Sequence, residues 1–279
     1  MHEAIDRAVG DGVETLPEIL AGAGTEGIRY ALRRMAAVGD PAELLTKAAD
    51  WAVHPAPEMR QLACGLAVQG YKAGRKRAVE ILHRLSADEE RSVRDTAGRE
   101  CGRLLCQDFS RMLEEMYGFR TDPSPWVRRA VVLAAMTAGK ERRLERAEPL
   151  LKLLEPLLAD RAPEVRRSLG PVAIGGGLLR DYPEMTFEYL VKWSTANDEQ
   201  VLWNVAMSFS GPGAVPLVKK ALIVLRRLSL DERRYVWRAV ASAMWKLGRK
   251  RPEIVRPELA RWLEDERRVK VARAALKYL

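Results

Sequence analysis

Cysteine, histidine and aromatic residues are scarce in this 279-residue chain, and each scarcity removes a class of chemistry. The three cysteines, Cys64, Cys101 and Cys106, are too few and too irregularly placed for a disulfide framework. Cys101 and Cys106 fall in one expected helix with no histidine nearby, which excludes a zinc site. They read as small buried apolar residues of a reducing compartment. The three histidines, His2, His54 and His83, are scattered, so neither an H-E-x-x-H metal site nor a catalytic triad is available. No Walker-type loop occurs: Gly175-Gly176-Gly177 lacks the Lys-Ser/Thr that would follow in a phosphate loop. No cofactor and no metal is therefore expected. Apolar runs stop well short of the roughly 18 residues that a membrane span needs. The N-terminal stretch MHEAIDRAVGDG carries acids and no apolar leader core. A cytoplasmic protein without membrane association is the expectation. Aromatics make up only 6% and β-branched runs are missing, whereas Ala, Leu, Arg and Glu abound, so the chain is expected to be helical.

Charge is plentiful and unevenly spread. The formal net charge is +9, yet residues 219–279 hold 18 basic against 7 acidic side chains. Residues 1–218 hold 29 against 31, and within them 120–180 is again basic, 12 against 7. A field concentrated in this way points to a polyanionic partner, nucleic acid first. A solvated, arginine-rich surface is the plainer alternative.

A repeat organises the sequence. A hydrophobic residue followed by a basic one recurs after turns rich in Pro or Asp: Met59-Arg60, Val93-Arg94, Val127-Arg128 and Val165-Arg166. From arginine to arginine the steps are 34, 34 and 38 residues. Weaker echoes follow at Val201-Leu202, Val236-Trp237 and Val269-Lys270, and Ile28-Arg29 fits an earlier copy. Periods of this length with helical composition predict stacked helix pairs, since one pair cannot cover its own apolar face. The fold class is thus all-α, an α-solenoid of about eight HEAT-like helix pairs forming one array over 1–279, with a basic portion at 219–279. Ala130, Val131, Ala134 and Ala135 define one apolar face. Residues 164–179 form the first helix of a pair, and Leu150–Leu158 a second helix disturbed by Pro156. The repeat valine is expected to pack between helices, and its arginine to pair with a turn aspartate of its own or the adjacent repeat.

Two stretches interrupt the rhythm. Gly170 to Gly177 places a proline and several glycines where a helix should run, at a cost of about 1 kcal/mol per glycine and more for proline. Either the backbone there approaches a ligand, or the helix is distorted by local packing. Ser210-Gly211-Pro212-Gly213 reads as a loop.

The run Pro125-Trp126-Val127-Arg128-Arg129-Ala130-Val131-Val132-Leu133, together with V-R-R-S-L-G at 165–170, resembles the bacterial HEAT-like DNA alkylation-repair proteins. So do Leu179-Arg180-Asp181-Tyr182-Pro183 and Tyr189-Leu190-Val191-Lys192-Trp193. The resemblance spans about residues 85–210. It implies an α-solenoid that cradles duplex DNA in a basic concave groove. In some members it also implies excision of alkylated purines by a DNA glycosylase that uses a carboxylate and tryptophans. This chain departs from that pattern, because no Trp-x-x-x-Asp spacing falls on an expected first helix. Glu100, Asp181, Asp198 and Glu199 remain as acids, and no catalytic residue is assigned.

Seven tryptophans, four of them at Trp193, Trp203, Trp237 and Trp245, complete the reading. Such indoles either fill the core or stack on sugars and exposed bases, with flanking arginines on phosphates. Candidate DNA-binding residues are Arg128, Arg129, Arg166, Arg167, Arg234, Arg238 and Lys246, with Trp126, Trp203 and Trp237. The function expected is duplex-DNA binding by a monomer, with base excision an open question. The alternative is a non-enzymatic scaffold whose surface grips an acidic protein.

Overall fold

The computed structural model describes residues 1–11, 13–277 and 279, and among these the regular structure is helical throughout. The first half of the chain gives α1 (His2–Asp11), α2 (Leu16–Ala21), α3 (Gly24–Val38), α4 (Pro41–Trp51), α5 (Pro57–Gln69), α6 (Arg75–Ser86), α7 (Arg91–Gln107) and α8 (Phe109–Arg120). The second half gives α9 (Pro125–Gly139), α10 (Leu144–Leu154), α11 (Pro163–Ser168), a π-helix (Leu169–Leu178), α12 (Leu179–Asp181) and α13 (Pro183–Trp193). It ends with α14 (Glu199–Ser208), α15 (Val218–Leu228), α16 (Arg234–Lys250), α17 (Pro252–Leu263) and α18 (Val269–Leu276). The fold is all-α, an α-solenoid of helix pairs joined by short turns. Prolines open α4, α5, α11, α13 and α17 at their first positions, where no intrahelical N–H is needed.

Contacts gather the chain into two compact units, Met1–Ala134 and Ala135–Leu279. In the N-terminal unit α1 packs on α3, α3 on α5 and α5 on α7, while α4 packs on α6. First helices thus form one layer and second helices another, the arrangement that covers an apolar face no single pair could bury. In the C-terminal unit the π-helix packs on α14, α14 on α16 and α16 on α18, with α10 on α13 in the second layer. The repeat hydrophobics occupy the seams: Met59, Val93, Val127, Val165 and Val236 are buried, as are Ala130, Val131, Ala134 and Ala135.

The arginines that follow Met59, Val93 and Val127 work as turn clamps. Arg60 donates from Nε and Nη2 to both carboxylate oxygens of Asp88, one repeat on, at 2.8 and 2.9 Å. Its Nη1 donates to the carbonyls of His54 and Pro55. Arg94 Nη1 donates to the carbonyls of Asp88 and Glu89, and Arg128 Nη1 to those of Asp122 and Pro123. The same fork therefore ties α5, α7 and α9 to the turns that precede them, satisfying carbonyls that the turns leave unpaired.

Both interruptions have a packing cause. The segment expected as one helix over 164–179 is helical throughout but passes from α11 into a π-helix. Pro171 has no N–H to give and its ring crowds the preceding turn, so the wider π register takes over. That register also sets glycines against α14. A Cβ on Gly175 would lie 2.1 Å from the Ser208 carbonyl oxygen, and one on Gly170 would lie 2.7 Å from that of Asn204. Gly211, in the loop after α14, meets the backbone of Gly175 and Gly176 in turn. The buried Asn204 carboxamide bolts the three segments together: its Nδ2 donates to the Leu158 carbonyl at 2.8 Å, and its Oδ1 accepts from Gly170 N–H at 3.3 Å. Before α11, α10 ends at Leu154 and Pro156 lies in a 3-10 turn over Glu155–Ala159.

Cys64 and Cys101 are fully buried and Cys106 half-buried. Desolvation drives the Cys64 thiol well up and pushes that of Cys101 up to about 12, which leaves both inert. Among the described residues, no helix is long and apolar enough to cross a membrane.

Candidate nucleic-acid interface

In the C-terminal unit the repeat arginine changes its work. Arg166 stands where Arg60, Arg94 and Arg128 stand in their repeats, yet its Nη1 donates 2.8 Å to the hydroxyl of Tyr235, 69 residues away. That hydroxyl donates in turn to Gln200 Oε1 at 2.8 Å. The Arg166 guanidinium lies 5.9 Å from the Trp203 ring centroid and 5.8 Å from that of Tyr235. The two rings are stacked, with centroids 5.7 Å apart and planes within 13°. A cation over paired π-faces is worth on the order of 0.5–1 kcal/mol where exposed and more where water is excluded.

Three elements assemble this arrangement. α11 carries Arg166 and Arg167 and runs on into the π-helix. α14 is started by Asp198, whose carboxylate accepts from the N–H groups of Gln200 and Val201, and it carries Gln200 and Trp203. α16 carries Tyr235 and, one turn apart on one face, Arg234 and Arg238. Gly170, one turn after Arg166, makes its close contact at Asn204, the residue next to Trp203.

A pocket of 580 Å³ opens beside the stack, lined by Trp203, Met207, Arg234, Tyr235, Arg238 and Ser242, with Ala239. Next to it lies a pocket of 260 Å³ lined by Arg238, Ala241, Ser242, Trp245 and Ala274. A third, of 340 Å³, follows the C-terminal end of α16, with Lys246, Arg249 and Lys250 around the turn at Ser210 and Gly211. Arg167, Arg234 and Arg238 are exposed, and among the described residues they make no ion pair. Lys246 Nζ lies 3.5 Å from Ser210 Oγ. Trp237 turns toward α18, where Lys270 Nζ sits 5.9 Å from its ring.

The remaining candidates lie in the N-terminal unit. Arg129 bridges to Asp95 at 2.6 Å, and Arg128 clamps its turn. Trp126 carries the Arg94 guanidinium 4.0 Å above its ring. Arg166, Trp203, Arg234 and Arg238 are thus brought together with Arg167 on the adjoining helix, while Trp126, Arg128 and Arg129 are held within other packing. Of the acids, Glu100 is buried against Arg103 at 2.8 Å, and desolvation raises its pKa. Asp181 pairs with Arg180 and Arg142, Asp198 caps α14, and Glu199 lies in the first turn of that helix.

Tyr235, Gln200, Met207 and Ser242 were not among the expected site residues. A signal for Tyr235 exists in the repeat itself. The residue just before each repeat hydrophobic is Glu58, Ser92, Trp126, Glu164, Gln200 and Tyr235, a column that includes both ends of the Tyr235–Gln200 bond. The residue two after it is Gln61, Asp95, Arg129, Arg167, Trp203 and Arg238, a column that becomes basic and aromatic in the second half of the chain.

Comparison with known proteins adds a family. The profile of the family described as DNA alkylation repair enzyme matches residues 20–182, more than half the chain. No curated protein matches significantly. Among solved structures, YibA of Escherichia coli is 17% identical, with 99% of this chain and 95% of that one covered and a TM-score of 0.42. An engineered protein is 20% identical over 99% of this chain and 80% of that one, with a TM-score of 0.36. A designed armadillo repeat protein in complex with the peptide (KR)4 is 16% identical over 86% and 99%, with a TM-score of 0.29.

Proposed function

The chain belongs to the DNA alkylation repair enzyme family, and on that premise we propose that it binds DNA through the basic, aromatic face of its C-terminal unit. Phosphates are held by Arg167, Arg234 and Arg238, with Lys246 further along α16, and Trp203 supplies the apolar contact beside them. The observation that carries this reading is the redeployment of Arg166. A repeat arginine that elsewhere ties down a turn is here spent on orienting Trp203 and Tyr235, beside three exposed arginines that make no ion pair among the described residues. A purely structural role would leave Arg166 on its own turn, like Arg60, Arg94 and Arg128. Base excision is not part of the proposal. Glu100 and Asp181 are occupied by arginines and Asp198 by helix capping, and the residues lining the larger pocket include no acid that could stabilise a developing cation.

Fluorescence anisotropy on a short labelled duplex, plain and carrying an abasic-site analogue, tests the reading across a salt series. Each neutralised phosphate contributes about −0.9 to the slope of log K against log salt on B-form DNA. Replacing Arg167, Arg234 and Arg238 together by alanine should flatten that slope by about 2–3. Absence of binding to both duplexes at low salt overturns the proposal. Binding of an acidic peptide in their place would favour a scaffold that grips an acidic protein.

A further inference from the structure

From the two adjoining pockets on α16, we infer a site for unpaired nucleotides, in which at least two bases are taken into separate slots with a phosphate between them. The inference deepens the DNA-binding reading and rests on it. The pockets share Arg238 and Ser242 as a common wall. One is backed by Trp203 and Tyr235, the other by Trp245 over the small floor of Ala241 and Ala274. Each therefore offers the flat apolar surface on which a base stacks, whatever its sequence. The larger, at 580 Å³, falls within the roughly 300–1,000 Å³ of small-molecule pockets. Arg238, exposed and without an ion pair among the described residues, projects at the ridge between them. A phosphate linking two docked nucleotides would lie there.

Spacing decides against a paired strand. Tyr235 in the larger slot and Trp245 in the smaller are ten residues apart on one helix, about 15 Å along its axis. Neighbouring bases of a duplex strand rise only about 3.4 Å. Bases seated in the two slots are therefore unstacked from one another, which an intact duplex does not allow. The stack at the larger slot is also held rigid. Tyr235 is fixed by Arg166 on one side and Gln200 on the other, and a pre-set ring loses little freedom when a base docks. All the residues that line the two pockets lie beyond residue 182, outside the segment matched by the family profile.

The test compares three labelled ligands of equal length on the full chain: a single strand, the same strand with every base removed, and a duplex. The base-bearing strand should bind about tenfold or more tighter than the abasic strand, the range that one stacked base supplies. Trp203→Ala should erase most of that ratio while leaving the salt slope unchanged, and Trp203→Phe should restore it. A pair of 2-aminopurines in the strand should lose fluorescence on binding, and more so with Trp245→Phe than with Trp245→Ala. Equal binding of the base-bearing and abasic strands, with the duplex still bound, overturns the pocket assignment and leaves the DNA reading standing. Failure of all three ligands overturns both. If labelled polyglutamate binds with the same sensitivity to Trp203→Ala, the pockets take acidic peptide and the inference falls.

Discussion

Two neighbouring glycines should respond to the same substitution with opposite signs. Gly175 is buried in the π-helix, and a Cβ there would lie 2.1 Å from the Ser208 carbonyl oxygen and 2.9 Å from its carbon. Ordinary contact begins near 3.5 Å, so Gly175→Ala forces α14 and the π-helix apart by more than an ångström. The obstacle is backbone on both sides, and no rotamer relieves it. Overpacking of this kind costs about 1–3 kcal/mol or more, partly offset by the roughly 1 kcal/mol that alanine gains over glycine in a helix. The net loss should be about 2 kcal/mol. At Gly176 the nearest neighbours of an added Cβ are Pro171 O at 3.7 Å and Pro212 Cδ at 3.9 Å, both ordinary contacts. Gly176→Ala should therefore gain about 0.5–1 kcal/mol from reduced freedom of the unfolded chain. Thermal unfolding followed by intrinsic fluorescence suits the test, because five of the seven tryptophans lie in the C-terminal unit. At about 2–4 °C per kcal/mol, the first variant should melt roughly 4–8 °C lower and the second slightly higher. Because α14 also carries Trp203, displacing it should make Gly175→Ala weaken DNA binding as well, with Gly176→Ala neutral. Equal effects at the two positions, or a Gly175→Ala protein as stable as the wild type, would refute the close-approach account.

The repeat made the fold legible from sequence. Hydrophobic-basic pairs at a period near 34 residues mark the first turn of successive first helices, and those hydrophobics are buried where stacking requires. Local conformation was less legible. The π register over Leu169–Leu178 depends on what α14 presents to it, and the Asn204 and Ser208 backbones lie more than thirty residues away in sequence. The site was readable only in part for a related reason. Charge and indole content single out Arg234, Arg238 and Trp203, but not which arginines have carboxylate partners. Arg129 and Arg167 stand in the same column of the repeat. The repeat before Arg129 supplies Asp95, one column position back, while Arg167 remains exposed. That difference follows from one residue of the neighbouring repeat and is visible once the columns are aligned. The turn from Arg166 to Tyr235 is not, since it spans two repeats and requires Gln200 to fix the hydroxyl between them.

In the N-terminal unit, Asp88→Asn should be among the more damaging single changes. The Asp88 and Arg60 side chains are 8% and 7% exposed, and loss of the charge leaves the buried guanidinium only the exposed Glu89 carboxylate at 3.4 Å, at about 3 kcal/mol. Urea unfolding measures it, and a loss below about 1 kcal/mol would show that the clamp is not a stabilising element. Glu100→Gln should act in the opposite direction above the ordinary glutamate range. Burial raises the Glu100 pKa, and the attraction of Arg103 recovers only part of that cost. The folded chain therefore holds this proton more tightly than the unfolded chain does. Between the unfolded pKa and the raised folded one, stability falls as pH rises, because the native state binds more protons there. Below that window the protonated carboxyl and the glutamine should be nearly equivalent. Above it the variant should pull ahead, having no buried charge to carry. The quantity to follow is the difference in unfolding free energy between the two proteins from pH 4 to pH 8, which cancels the other carboxylates. A difference that grows through the window and then levels identifies Glu100 as a residue that costs the fold stability. A difference that stays flat, or that favours the wild type at high pH, would mean that the Arg103 pair outweighs desolvation.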